Sequence, residues 1–219
     1  MHSINHKKKQ PDTARRYDKL SRYYDLIAGF FERRYIRKGL HLLNAKPSEN
    51  ILEIGFGTGY AITQIAEAAG PKGKVYGIDI SKGMYRITEK KLKKRNLLNS
   101  VILRNEDILK SRLSNNFFDG IFTSFTLEIF NDNHIESVLK KAYHALKKNG
   151  RICVVCVSSS KKEKIPMRIY RFIHNRLPNF IDCRPVDIQK FIKKARFHIV
   201  ANNFFSIAGI TAAAILAKK

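Results

Sequence analysis

The stretch Ile51-Leu-Glu-Ile-Gly-Phe-Gly-Thr-Gly59 joins a short apolar run to a glycine-rich turn, and its reading decides the fold. Ile51, Leu52 and Ile54 read as a buried strand. Gly55, Gly57 and Gly59 follow at alternate positions, and Ala61 to Ala69 then run at helical spacing. In a strand-turn-helix unit such glycines let the backbone turn sharply and approach a ligand closely, while the helix start presents N–H groups that lack intrahelical partners. Alternating glycines also occur in ordinary tight turns, so the motif points to a ligand only through its strand and helix context.

Three acidic features narrow the ligand. Glu53 lies inside the strand just before the turn, where a carboxylate disfavours phosphate and favours a group carrying an ammonium. A second strand, Val75-Tyr-Gly-Ile78, ends at Asp79, twenty positions after Gly59, which suits an acid accepting hydrogen bonds from ribose hydroxyls. A third strand, Ser100 to Arg104, leads to Glu106-Asp107 at the same edge.

These residues, with Phe118-Asp-Gly-Ile-Phe-Thr-Ser124, occur in the order found in the class I S-adenosylmethionine-dependent methyltransferases, which the chain resembles over nearly its whole length. The resemblance implies a Rossmann-like α/β fold: a seven-stranded, mostly parallel sheet with helices on both faces and the last strand antiparallel. It also implies S-adenosylmethionine as methyl donor, S-adenosylhomocysteine as product, and no metal. In the family's manner, Glu53, Gly55, Gly57 and Gly59 hold the methionine end, Thr58 opens the helix, Asp79 binds ribose, and Asp107 beside Glu106 meets the adenine amine. Ile80 and Met84 pack on the adenine, and Ser124 closes the site. Within the class, Tyr17-Asp-Lys-Leu-Ser-Arg-Tyr-Tyr-Asp25 and the C-terminal Phe205 to Lys218 resemble the ubiquinone/menaquinone C-methyltransferases and the bacterial phospholipid N-methyltransferases. That likeness makes Tyr17 and Tyr24 candidates for the active-site wall.

A chain of 219 residues suffices for one good core with a cap. The expected division is a basic tail and helical cap over 1–46, then a methyltransferase core over 47–219. Lys and Arg number 42 against 18 Asp and Glu, a formal charge of +24, while 44% of residues are hydrophobic, which excludes a disordered polybasic chain. Such an excess favours an anionic partner, either a membrane surface or nucleic acid, or else simply decorates the surface. Met1 to Gln10 has charge but no apolar core of a signal peptide, so a cytoplasmic protein is expected, peripheral at the inner face of the membrane. Phe204 to Ala217 is too short and too interrupted to span a bilayer and reads as two strands. Cys153 and Cys156 lie in one apolar strand, where positions three apart face opposite sides, so buried thiols are expected rather than a metal or disulfide pair.

Taken in order, residues 13 to 44 read as helix, as two pieces broken near Gly29 or Gly39, with Tyr17, Leu20, Tyr24, Ile27 and Phe31 on one face. Pro47 and Ser48 mark the start of the core, and strand-helix alternation then predicts a parallel sheet. Ser81 caps a helix running to Asn96. A fourth strand, Phe117 to Phe122, leads to Thr123-Ser-Phe-Thr-Leu-Glu128, at the edge where open α/β sheets place ligands. Base-amine methyltransferases carry Asn/Asp-Pro-Pro-Tyr/Phe there, and this chain has Ser124-Phe-Thr-Leu127. A helix from Asp132 or Asn133 to Lys148 stops at Asn149-Gly150, before a fifth strand, Arg151 to Val157. Strands at His198 to Phe205 and Ile210 to Ala217 close the chain as an antiparallel hairpin.

Between the fifth strand and a helix near Pro185 lies an insertion, 158–184, read as a lid. Its arginines, Arg168, Arg171 and Arg184 among them, alternate with aliphatic groups, which suits an amphiphile with an anionic head; RNA would ask for more aromatic stacking. The expected acceptor is therefore a membrane-associated amphiphile, a prenylquinone precursor or a phospholipid head group, with RNA or DNA as the alternative. A non-catalytic cofactor-binding protein is the third reading. A hydroquinone carbon needs its phenol ionised, and Tyr24, His174 and Asp182 are candidate bases.

Overall fold

The computed structural model describes residues 29–158, 184–207 and 210–219. Seven strands form one sheet: β1 Asn50–Ile54, β2 Lys74–Asp79, β3 Val101–Asn105, β4 Phe118–Ser124, β5 Leu146–Val157, β6 His198–Ile207 and β7 Ile210–Lys218. Their order is β3-β2-β1-β4-β5-β7-β6. The first five strands run parallel, and β7 inserts antiparallel between β5 and β6. The chain leaves β3 at one edge and returns to β4 beside β1, so the order reverses at β1/β4; ligands of such sheets sit in the crevice beyond the carboxyl ends of these strands.

Period-two alternation distributes the apolar side chains to both faces. Ile51, Val75, Phe122 and Val155 point to the face covered by α1 Gly29–Leu43, α2 Tyr60–Ala69 and α3 Lys82–Lys94. Leu52, Ile54, Ile121 and Val154 point to the face covered by α4 Asp132–Ala145 and α5 Ile188–Lys194. Cys153 and Cys156 are buried free thiols that fall in these two separate clusters. Burial pushes Cys153 up to about 12, and burial together with the nearby Glu128 raises Cys156, so both stay protonated thiols.

Helix α1 begins at Gly29 and runs through Gly39 without a break, so of the two expected break points Gly39 is not one. A Cβ at Gly39 would stand 2.3 Å from Val155 Cγ2, so this glycine serves close helix–sheet approach. Helix α4 ends at Ala145, three residues before the predicted stop, because Leu146 already pairs with Phe118. Asn149, at φ 65, then carries the chain through an irregularity before Arg151 resumes the ladder opposite Gly120. Helix α5 begins at Ile188, with the Asp187 side chain accepting from Lys190 N–H, later than Pro185 suggested. Arg151 secures the lower edge: its guanidinium meets both carboxylate oxygens of Glu49, at 2.8 and 2.7 Å, and also donates to the carbonyls of Leu43, Asn44 and Asp119.

Candidate cofactor and acceptor site

The glycine turn between β1 and α2 is built on three residues with positive φ: Gly55 at 75°, Gly57 at 51° and Gly59 at 80°. Only glycine adopts such angles without cost. Their surroundings differ. A Cβ on Gly55 would lie 2.2 Å from Thr126 Oγ1, and one on Gly59 would lie 2.7 Å from Thr88. Around Gly57 the same space is empty to 4 Å. No side chain caps the start of α2, so its first N–H groups face the turn without a side-chain partner.

The turn is held from beneath by α3. Thr88 Oγ1 donates to Gly57 O at 2.8 Å, and Lys91 Nζ donates to Thr58 O. Asp79, at the end of β2, accepts from Gly57 N–H through Oδ2 at 2.8 Å and from Ser81 N–H through Oδ1 at 2.9 Å. Ser81 in turn caps α3, its hydroxyl accepting from Met84 N–H at 3.2 Å. This places Met84 inside the core and leaves Ile80 half-buried beside Asp79.

Glu53 is 1% exposed, and its Oε2 has no hydrogen-bond partner. Burial raises its carboxyl well above the ordinary value, and the Asp79 carboxylate raises it further. A buried acid with an unsatisfied oxygen beside a second acid is an arrangement that a cation relieves. A ligand with a ribose diol and an ammonium group fits this donor and acceptor set.

At the neighbouring corner Glu106 N–H donates to Asp79 O at 3.0 Å, and its carboxylate is ion-paired with Arg104. Asp107 is half-buried, and its Oδ1 accepts from Leu109 N–H at 2.9 Å, which shapes the loop after β3. Lys141 of α4 holds that loop through the carbonyls of Ile108, Leu109 and Ser111. Beyond β4, Ser124 is half-buried at the strand end, and its carbonyl accepts from Thr126 Oγ1 at 2.9 Å. Glu128, fully buried in the short 3-10 turn Leu127–Ile129, accepts from Val157 N–H at 3.0 Å. Arg184 donates to Phe130 O and to Asp132 Oδ1.

The sequence-predicted residues Glu53, Gly55, Gly57, Thr58, Gly59, Asp79, Ile80, Met84, Glu106, Asp107 and Ser124 thus converge on the carboxyl ends of β1 to β4. Tyr17, Tyr24, Arg168, Arg171, His174 and Asp182 lie outside the described residues. Thr88, Lys91 and Lys141 were not foreseen, nor was the contact of Thr126, within the expected ligand edge, with Gly55, because each acts on a segment about 30 or more positions away and carries no local signature of that contact. Among the described residues no group of His, Cys, Asp and Glu side chains gathers as a metal centre requires, and no helix is long and apolar enough to cross a membrane.

Residues 51–150, which carry the whole glycine turn, Asp79 and β4, match a family described as a methyltransferase domain. The chain is 31% identical over 161 residues to the demethylmenaquinone methyltransferase of Geobacillus sp. (strain WCH70), covering 71% of this chain and 67% of that protein. It is 30% identical over 142 residues to a ubiquinone/menaquinone biosynthesis C-methyltransferase of Stutzerimonas stutzeri, covering 65% of this chain and 54% of that one. Among solved structures, a 1,6-didemethyltoxoflavin-N1-methyltransferase of Burkholderia thailandensis with bound S-adenosylhomocysteine superposes with a TM-score of 0.73 at 16% identity, covering 100% of this chain and 98% of that one, a likeness of fold. Sheet order, glycine turn and these relatives agree: the chain belongs to the class I S-adenosylmethionine-dependent methyltransferases.

Proposed function

We propose that this methyltransferase acts on an amphiphilic quinone precursor, transferring the methyl group to a ring carbon. The observation that carries this reading is the 31% identity over 161 residues with a demethylmenaquinone methyltransferase. When bound, S-adenosylmethionine supplies a methyl group already activated on a sulfonium, so the protein has mainly to align the acceptor and exclude water.

The roles assigned here follow the family resemblance, and the geometry above supports those of Glu53, Asp79 and the glycine turn. Asp79 accepts from the ribose hydroxyls while Gly57 N–H keeps its carboxylate in place. Glu53 receives the methionine ammonium, with Gly55, Gly57, Thr58 and Gly59 around the same end, and Ser124 borders the acceptor side. Ile80 and Met84 flank the adenine, and Asp107 beside Glu106 accepts from its amine. Tyr24 or His174 takes the phenolic proton that makes the ring carbon nucleophilic. Tyr17, Arg168, Arg171 and Arg184 are assigned to recognition of the acceptor. The excess of 42 Lys and Arg over 18 Asp and Glu supports peripheral attachment to an anionic membrane, each such residue near the surface adding about 1 kcal/mol.

The test is incubation of the protein with labelled S-adenosylmethionine and separate demethylmenaquinone, phospholipid and RNA fractions. Label in demethylmenaquinone supports the reading. Label confined to phospholipid moves the acceptor to a lipid amine, and label confined to RNA favours the nucleic-acid alternative that the charge of +24 also fits.

A further inference from the structure

The turn after β4 holds a conformation that its sequence resists. Phe125 has φ 50, a region that bulky residues avoid, yet it is only 8% exposed and its N–H donates to Val155 O at 2.8 Å. Strain of this kind persists only where the surroundings over-determine it, and it gathers at functional sites. The next residue shows what the conformation achieves. Thr126 is delivered onto the Cα of Gly55, with Oγ1 at 2.2 Å and Cγ2 at 2.5 Å from where a Cβ would stand. Its hydroxyl is fixed to Ser124 O at 2.9 Å, and Gly55 N–H is fixed to Ile78 O at 2.8 Å. One threonine therefore touches the first glycine of the cofactor turn while bonded to the strand end that borders the acceptor.

We propose that Thr126 is a positioning residue for methyl transfer: seated on Gly55 by the strained Phe125, it fixes the separation between the cofactor turn and the acceptor turn. Gly55 is then glycine for two reasons, its φ of 75° and the presence of Thr126. This rests on the assignment of Gly55 to the cofactor end, and the kinetic arm below also uses the proposed quinone acceptor. A residue that sets such a separation governs turnover more than affinity, since small misplacements of reacting groups are costly.

The experiment combines binding of S-adenosylhomocysteine, measured by calorimetry on the full chain, with turnover of demethylmenaquinone. Gly55→Ala is expected to weaken binding about tenfold or more in the native background, and by a clearly smaller factor in Thr126→Ala, a coupling of about fivefold. Thr126→Ala is expected to lower kcat about tenfold with KM and unfolding temperature nearly unchanged, and Thr126→Ser to recover most of the loss. Independent, multiplicative effects of the two substitutions on binding would overturn the proposal, as would an unchanged kcat in a folded Thr126→Ala protein. If the native protein methylates no quinone, the functional reading fails, and the binding cycle still decides the role of Thr126.

Discussion

Asp79 and Gly57 are joined by a hydrogen bond of 2.8 Å that ties the end of β2 to the middle of the glycine turn. The acid proposed to bind the ribose is thereby the same acid that shapes the turn. Substitution with alanine removes both an acceptor for the ligand and the anchor of the open glycine. A charge-assisted hydrogen bond is worth about 1.5–3 kcal/mol, so Asp79→Ala should weaken S-adenosylhomocysteine binding by at least about tenfold, measured by calorimetry, while the chain stays folded by circular dichroism.

Glu53 makes cofactor binding and stability depend on pH in a defined direction. Its carboxyl is raised in the folded protein above the ordinary value of 4.5. The unfolded chain therefore gives up this proton first as pH rises, and the contribution of Glu53 to stability, full below 4.5, is lost as pH climbs through the raised value. Glu53→Gln should remove that slope, gaining stability relative to the native protein at neutral pH and converging with it in acid. A bound ammonium favours the ionised form, so binding should release a proton where Glu53 is still protonated. Calorimetry in buffers of different ionisation enthalpy should detect that release in the native protein and not in Glu53→Gln.

Gly39 tests the packing of α1. The space for a Cβ is taken by Val155 Cγ2 at 2.3 Å and by the Phe122 ring at 3.1 Å. Overpacking of this kind costs about 1–3 kcal/mol. Gly39→Ala should lower the unfolding temperature even though alanine is the better helix former, and an increase would show that α1 does not approach the sheet so closely.

Arg151 tests the lower edge. It joins the end of α1, the approach to β1 and the start of the regular part of β5 through a bidentate contact with Glu49 and three carbonyls, and its side chain is 15% exposed. Arg151→Ala should destabilise the fold by about 2 kcal/mol or more, read by chemical denaturation. Arg151→Lys should recover little, because one ammonium cannot reproduce the fork.

The legible part of this molecule lay in short-range pattern. Ile51 to Gly59 announced its own strand, turn and helix, and Asp79 announced itself because the second βα unit repeats the first at a fixed distance. Both thiols could be placed on opposite faces from the period of a strand alone. What escaped was decided by tertiary contact. Gly39 reads as a helix breaker until Val155 is seen against it, and Lys148 reads as the end of α4 until Leu146 is seen paired with Phe118. Thr88 is an unremarked polar residue in sequence and Thr126 only one member of the edge after the fourth strand; their contacts with Gly57, Gly59 and Gly55 emerge from the fold alone.

The proposed activity is methylation of a quinone precursor at the Glu53–Asp79 site. Its most direct test is methyl transfer from labelled S-adenosylmethionine to demethylmenaquinone in detergent, with the native protein beside Asp79→Ala. The expected result is a singly methylated quinone, formed by the native protein and lost in the variant. Transfer of the label only to phospholipid or RNA, or quinone methylation that persists undiminished in Asp79→Ala, would contradict it.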